Sequence, residues 1–522
     1  MDSIARNVIS LASSLTRFED VIAGTSREKQ VIEIIKMFVE NYVDNIVIEP
    51  VEVLSWTEDL CVIEIDGVLY RCSLHPPYSG STDIEVMTED IVFVKRFSDI
   101  AKFSKTIEDK VVVVEDIEDP NYVAVYSYVL RSFNPVAIVF IDRMDTLRRI
   151  VSLDDVISRY STLPPPKIPA IHIAYSTGLK LRSMKSRSIR ITARSSLDQS
   201  YGFNILAEVN GKDVGTIYLT AHHDKWFNSL VDDSLGIAVL VNLASSKILE
   251  KLAGVSITLA FFTAEEGFPN PLSSFYWLVG SRYHVVKNIE KIFNEIGLVI
   301  NLDVIYGNKV RFSTSNLLAR GMLMRIGVDD KDIEHDSMLF DSFAFTLIGL
   351  PSITIHNYYD IVKDGIYHST LDSVDLIHRI DLGLIDNIVN KIYVLVKMYH
   401  EIYRGRLLGN VLGLGVKTLV KELALGLNTL ENLFYLHKII KGLLDCDDHS
   451  KVLNTLQTLH RIITSAYIPK SIYRGEEIYE KIFYMMCLDD VVYLPQGIEM
   501  GRDECYRRIL YDLELLTYIL RC

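Results

Sequence analysis

Short apolar runs alternate with segments of helical spacing over residues 196–404. The runs TIYLTA, SITLAFF, LVINL and SITIH are mostly apolar, whereas the segments between them repeat apolar residues every three or four positions. Apolar strands separated by helices are typical of a mostly parallel sheet that helices cover on both faces. The pattern predicts an α/β domain with helices at 236–249, 283–293 and 382–403, and with ligands bound beyond the carboxyl ends of its strands.

A second unit interrupts this domain at residues 61–195. Apolar runs at 111–114 and 136–141, with a helical segment at 122–130 between them, predict a strand–helix–strand unit. The proline-rich segment 161–170 is a loop by its composition. No metal-binding or catalytic residue types cluster in this insert, so we interpret it as an accessory α/β domain.

The two ends of the chain differ in pattern. Residues 1–60 predict the first part of the α/β domain, an amphipathic helix at 27–42 followed by strands. Residues 405–522 repeat leucine and other apolar residues mostly at three- and seven-residue steps, which predicts a helical region. That region carries no polar constellation, so we expect it to pack on the domain or to form a homodimer.

Composition and charge indicate which kinds of molecule this protein is not expected to bind. The 522 residues carry a net charge of -14 that no lysine–arginine cluster offsets, so we expect neither nucleic acid nor a membrane as the partner. No apolar run approaches the roughly 20 residues of a spanning helix. The first residues are too polar for a secretory signal, which predicts a cytoplasmic protein. The cysteines form no CxxC pair, which favours reduced thiols at Cys61, Cys72, Cys446, Cys487, Cys505 and Cys522.

Acids and histidines gather where the predicted strands stop. Two histidines and three or four carboxylates in such places are a ligand set for two divalent ions. Imidazole mixed with carboxylate suits zinc, or a similar ion such as cobalt or manganese, better than calcium. The candidate residues are His222, Asp224, Asp232, Asp233, Glu265, Glu266, Asp303 and His368.

Spacing suggests roles for some of these side chains. Alternate residues of a strand face the same side, so Asp224 can accept the outer N–H of a metal-bound His222 while His223 points away. Glu265 and Glu266 are adjacent and splay apart, so one can bind metal while the other holds the attacking water as general base. A carboxylate can bridge two ions when they lie about 3.5–4 Å apart.

Several motifs resemble one family of enzymes. The strings are AHHDKWFNSLVDDSLG, FFTAEEG, INLD and YHSTLD, together with the shorter match DSFAFTLIGLPSITI. In this order they resemble the dizinc exopeptidase family that contains bacterial aminopeptidases, glutamate carboxypeptidase and the transferrin-receptor ectodomain. The resemblance implies a zinc-exopeptidase sheet flanked by helices and a peptide as the substrate.

The resemblance also implies a role for each matched position. It makes Asp232 the carboxylate that bridges two ions and Glu265 the general base. It implies a cis peptide bond between Asp232 and Asp233. Tyr367 matches a tyrosine that in some relatives stabilises the tetrahedral oxyanion. The implied terminal ligands are His222 and Asp303 for one ion, and Glu266 and His368 for the other.

The accessory regions resemble the family less closely. The insert at 61–195 resembles the protease-associated domain that interrupts the peptidase in larger members. It departs from that pattern at Asp109-Lys110 and at Asn134-Pro135, where glycine-containing sequences are usual. Residues 405–522 match the position of a helical dimerisation domain.

More than one activity remains open at this level. We expect a metal-dependent aminopeptidase that removes N-terminal residues from peptides. A carboxypeptidase or dipeptidase would need a cation for the substrate carboxylate, and Arg282 and Lys225 are candidates. A single-zinc aminoacyl cyclase is a further alternative. A non-catalytic receptor-like scaffold is disfavoured because every expected ligand is present.

The segment after Glu266 differs from many relatives. It reads GFPNPLSSFYWLVGS, a longer path to the Gly-Ser pair than is usual in the family. Its aromatic residues either line a pocket for an apolar substrate side chain or pack in the core; they are Phe268, Phe275, Tyr276 and Trp277.

Overall fold

A computed structural model describes most of the chain up to residue 403. The described residues are 2–403 apart from 116, 118, 155–161, 212–214, 247, 250–253, 274 and 335. The predicted helical region at 405–522 lies outside the described residues, and so do the four cysteines within it. Its role in a homodimer stays a prediction.

Helices and strands alternate through the described residues. The helices are α1 (Asp2–Leu15), α2 (Ser26–Val39), α3 (Asp99–Phe103), α4 (Tyr122–Arg131), α5 (Tyr175–Arg182), α6 (Ser234–Ser245), α7 (Val279–Lys287), α8 (Ile289–Glu295), α9 (Leu317–Arg325), α10 (Ser342–Thr346), α11 (Tyr358–Lys363) and α12 (Leu382–Tyr403). The strands are β1 (Asn45–Ile65), β2 (Val68–Arg71), β3 (Ser73–Leu74), β4 (Gly80–Met87), β5 (Ile91–Val94), β6 (Val111–Val114), β7 (Ala137–Ile141), β8 (Ala170–Ile173), β9 (Ser188–Val209), β10 (Thr216–His222), β11 (Ser256–Phe262), β12 (Phe268–Pro269), β13 (Ile296–Leu302), β14 (Arg311–Ser313), β15 (Ile333–Glu334) and β16 (Ser352–His356).

The larger sheet is mixed rather than mostly parallel. Its order is β12-β1-β9-β11-β10-β13-β16-β14-β15, with β2 paired to β1 and β4 paired to β9. Among the described strands of this sheet, the centre, β11-β10-β13-β16, and the short edge pair β14-β15 are parallel. In the centre the nearly continuous apolar strands are buried. The long strands β1 and β9 pair antiparallel, because their alternating polar and apolar residues let one face meet solvent. The expectation of a mostly parallel sheet holds for the centre alone.

Helices cover both faces of the parallel centre. Apolar residues of α1, α2, α6, α9 and α12 form one core with it, and residues of α7, α8 and α10 form another. The helix predicted at 382–403 is α12. The helix predicted at 283–293 is two helices that break at Asn288, whose side-chain amide donates to the carbonyl of His284 and to Glu49. An asparagine that bonds the backbone in this way competes with helical pairing.

A second sheet occupies the predicted insert. Its five strands have the order β3-β8-β7-β6-β5, and β6 and β7 are the apolar runs seen in the sequence. The predicted borders at residues 60 and 195 fall inside β1 and β9, because these strands run past the parallel centre and pair with each other and with β2 and β4. The assignment of this insert as a protease-associated domain stays a prediction.

Cys61 and Cys72 form a disulfide, so the expectation of reduced thiols is wrong for this pair. β1 and β2 make a hairpin around Asp66-Gly67, both with positive φ. The Cys72 N–H donates to the Cys61 carbonyl at 3.0 Å, and the two Cα atoms are 5.0 Å apart. That separation allows a bridge. The Asp-Gly turn is a strong hairpin signal in the sequence, and it was the available clue to this pairing.

A helix that spans a bilayer must be both long and apolar. In the part of the chain that the structure describes, no helix combines the necessary length and apolarity. The cytoplasmic location stays a prediction.

Candidate metal centre

The candidate residues come together at one edge of the parallel centre. His222 is the last residue of β10, Asp303 follows β13 directly, and Glu265 comes three residues after β11. Asp232 lies in the loop before α6, and His368 lies in the loop after α11. Because the carboxyl ends of parallel strands meet at the same edge, local strand patterns suffice to gather most of this site.

The structure forms two groups of ligand atoms that share one residue. His222, Asp232 and Asp303 make the first group, and Asp232, Glu266 and His368 make the second; within each group the ligand atoms lie within 4.8 Å of one another. The His222 Nε2 atom lies 3.1 Å from Asp232 Oδ1. The His368 Nε2 atom lies 3.6 Å from Asp232 Oδ2 and 2.6 Å from Glu266 Oε1. The two oxygens of Asp232 therefore face different groups, as a bridging carboxylate requires.

The electrostatics of the site fit bound cations. Burial, with the charges of Glu266 and Asp303 added, raises the pKa of Glu265 well above its ordinary value. Burial also raises the pKa of Asp303, and neighbouring aspartates raise it further. Although burial alone would lower the pKa of His222, the neighbouring carboxylates of Asp224 and Asp232 raise it well above its ordinary value. An excess of buried carboxylates is stable when cations offset it, so the side chains present fit a pair of divalent ions.

Asp224 supports the site differently from the sequence-based expectation. Its Oδ1 accepts the backbone N–H of Glu265 and its Oδ2 accepts that of Glu266, each at 3.0 Å. The outer nitrogen of His222 is nearest to the backbone carbonyl of Asp224, at 2.9 Å, whereas the carboxylate is 3.7 Å away. The side chain of Asp224 thus fixes the segment that carries both glutamates, and its carbonyl orients the imidazole.

The neighbouring glutamates diverge as expected. Glu266 contributes Oε1 to the second ligand group, and its Oε2 accepts the indole N–H of Trp226 at 3.1 Å. Glu265 belongs to neither group but lines the cavity above them.

Left-handed backbone conformations lie beside the ligand residues. Phe227, Ala264, Val304 and His368 all have φ near 50°. Each such residue costs about 1–2 kcal/mol, because Cβ crowds the next carbonyl. Strain of this kind collects at functional sites, where it turns the chain sharply at a strand end. The implied cis peptide bond between Asp232 and Asp233 is present.

The loop that carries Tyr367 and His368 contacts the insert. The ring of Tyr367 stacks on the imidazole of His368, with 3.7 Å between the ring centroids. The guanidinium of Arg148, a residue of the insert, donates to the carbonyls of Tyr367 and Gly365. The insert therefore holds the loop that carries the last ligand.

Three supporting residues were missed by the sequence reasoning. Asp372 accepts the backbone N–H groups of Leu230, Val231 and Asp232, at 2.9, 2.9 and 3.2 Å, and so shapes the loop of the shared ligand. Its place in YHSTLD was a usable signal. The others are Trp226, which lies inside the first motif, and Arg149, for which the sequence offers no signal.

A cavity of about 210 Å³ opens above the ligand groups. Its walls come from both the insert and the larger sheet, and they are mainly apolar and aromatic. Tyr276 and Trp277 line it, whereas Phe268 and Phe275 are buried in hydrophobic clusters. The lining residues are Asn121, Ala124, Val125, Ile150, Val151, Leu153, Asp232, Glu265, Glu266, Tyr276, Trp277, Asp303, Val304, Met338, Leu339, Phe340, Tyr358, Tyr367 and His368.

Fold and site together place a set of candidate metal ligands at the carboxyl edge of the parallel strands of an α/β domain. The model of Peptidase family M28 matches residues 204–393, which contain every candidate residue. This match confirms the resemblance to the exopeptidase family, and with it the metallopeptidase class of the chain.

Solved structures share the fold. The zinc aminopeptidase from Bacillus subtilis aligns with a TM-score of 0.57 at 16% identity, over 76% of this chain and 94% of its own. A peptidase M28 precursor from Shewanella amazonensis aligns with a TM-score of 0.56 at 15% identity, over 76% and 95%. An aminopeptidase from Aneurinibacillus gives a TM-score of 0.51 at 16% identity, over 76% and 93%. Comparison with curated proteins finds no match.

Proposed function

We propose that this chain is an aminopeptidase that uses two divalent ions, zinc first among them, to release N-terminal residues from peptides. The observation that carries the proposal is the position of Asp232 between two ligand groups, with Glu265 beside them at the floor of a cavity. The fold shared with the zinc aminopeptidase from Bacillus subtilis supports the choice of metal and of reaction.

Different side chains have different roles in the proposed hydrolysis. Divalent ions, when bound, polarise the scissile carbonyl and make water more acidic. Glu265 then takes a proton from the attacking water and returns it to the leaving amine. Burial raises the pKa of Tyr367 well above its ordinary value, and nearby Tyr358 adds to this. Its hydroxyl therefore stays protonated and can donate a hydrogen bond to the oxyanion.

The charges around the cavity favour the amino terminus over the carboxyl terminus. Among the described residues that line it are four carboxylates but no lysine or arginine. The two cations considered for a carboxypeptidase are engaged elsewhere. Lys225 donates to the carbonyls of Leu15 and Ser229, and Arg282 donates to those of Leu278 and Phe275. The described lining therefore offers no side-chain cation to pair with the α-carboxylate of a substrate, which a carboxypeptidase would need.

A blocked N-terminus tests this assignment directly. We expect the zinc-loaded protein to release free amino acid from an unblocked peptide and none from its N-acetylated form, because acetylation turns the free amine into a bulkier amide that has no basic lone pair. The same peptide with an amidated C-terminus is the control and should be cleaved at an undiminished rate. Cleavage of the acetylated peptide with failure on the amidated one would make the chain a carboxypeptidase instead.

The cavity walls predict a preference for apolar first residues. Val125, Ile150, Val151, Trp277 and Met338 offer no partner for a charged side chain. We expect kcat/KM for a leucine substrate to exceed that for lysine by about 10–200-fold, the range that pocket contacts of 1–3 kcal/mol supply. Peptides that differ only in the first residue measure this.

A charge placed in the wall is the matched control. Val125 lines the cavity from α4 and is 37% exposed, so Val125→Asp should fold and should raise the relative rate for lysine. Equal rates of the wild-type protein for peptides that begin with leucine and with lysine would show that the cavity is not the specificity pocket.

A further inference from the structure

Arg149 is a buried cation of the insert that lies directly behind the second ligand group. Its side chain is 1% exposed and forms ion pairs with Asp20 and Glu58, the latter at 3.3 Å. These carboxylates come from the segment before α2 and from β1, so Arg149 joins three separate parts of the chain at one point. The mechanism above gives this residue no role.

The backbone of Arg149 holds His368. Its N–H donates to the carbonyl of His368 at 3.0 Å, and its carbonyl faces the His368 Nδ1 atom at 3.2 Å. With the proton on Nδ1, the Nε2 lone pair would be free to bind an ion held together with Asp232 and Glu266, whose oxygens lie on the same side. A contact of this kind selects the tautomer and the ring orientation of a metal ligand.

The side chain of Arg149 acts on Glu266 through a tryptophan. The guanidinium carbon lies 4.3 Å from the ring centre of Phe227, 5.4 Å from that of Trp56 and 5.8 Å from that of Trp226. Trp56 and Trp226 meet edge to face at 5.8 Å, which fixes the indole plane. The Trp226 N–H then donates to Glu266 Oε2, leaving Oε1 directed at His368.

We propose that Arg149 is a positioning residue for the ion bound by Glu266 and His368, acting on His368 through its backbone and on Glu266 through Trp226. The inference rests on the proposed two-ion function. His222, in the other ligand group, has a separate support, since its Nδ1 atom faces the backbone carbonyl of Asp224. The accessory insert would thereby complete one ion site and leave the other independent of it.

A positioning role predicts that the variants weaken the binding of one ion only, whereas a general loss of packing would weaken the binding of both. We expect Trp226→Phe, which keeps the ring and removes the N–H, to raise one of the two zinc dissociation constants about 10–100-fold and to leave the other unchanged. Arg149→Met should weaken the same ion. Zinc content measured over a series of buffered free zinc concentrations gives both constants without reference to activity.

Two further variants make the test decisive. Arg320→Met removes another buried arginine, one that pairs with Asp330 far from the ligands, and should change neither constant. In a Glu266→Gln background, which should already have lost the second ion, Trp226→Phe should leave the one remaining zinc constant unchanged. If Arg149→Met fails to fold, Trp226→Phe still decides.

Each result has a distinct meaning. If both constants rise together in Trp226→Phe, or neither does, the positioning role is wrong. If the wild-type protein binds only one ion, the two-ion function itself is wrong, whatever the variants show.

Discussion

Glu265→Gln is expected to lower kcat by a factor of about 10²–10⁴, the contribution typical of a general acid–base group, while the protein keeps its ions. Glutamine has nearly the same shape but cannot take up a proton. Glu265 stands outside both ligand groups, so its loss removes no ligand. The backbone N–H of Glu265 remains bonded to Asp224, which keeps the segment in place. Steady-state rates and zinc content on one preparation measure both effects.

The adjacent glutamate supplies the control for this result. Glu266→Gln weakens a ligand of the second group and should lose one ion together with activity. The two isosteric changes at neighbouring positions therefore separate proton transfer from metal binding. Loss of metal in Glu265→Gln, or full activity, would show that the two roles are wrongly assigned.

Asp232→Ala is expected to abolish both activity and the binding of both ions. Among the described residues, Asp232 alone belongs to both ligand groups, and its two oxygens face different histidines. Its removal leaves each ion one ligand short and takes away the charge that lies between the two cations. Asp303→Ala, which affects only the first group, should cost one ion and is the matched comparison.

Thermal unfolding gives a second measure of the loss of metal binding in Asp232→Ala. A ligand that binds only the folded protein stabilises it by about 2.7 kcal/mol when its concentration is 100 times the dissociation constant. A chelator should therefore lower the Tm of the wild-type protein and leave that of Asp232→Ala unchanged. An equal response of the two proteins would contradict the bridging position of Asp232.

The sequence determined the centre of this protein by local patterns. The apolar runs that become β10, β11 and β13 end at His222, Glu265 and Asp303 or just before them, and parallel strands must bring such ends to one edge. Continuous helical spacing likewise sufficed to predict α12, since one amphipathic face is visible within the segment itself.

Only the tertiary structure decided which distant segments meet. The pairing of β1 with β9 and the contact of Trp226 with Glu266 each join residues whose spacing carries no mark of the partner. Arg149 is the clearest case. Its neighbours Asp20, Glu58 and His368 come from three different parts of the chain. Patterns along a sequence encode which face of a helix or strand is buried. The element that packs on that face is often distant in sequence, and bringing the two together closes a long loop. The entropy cost of this closure is offset only when the whole fold forms.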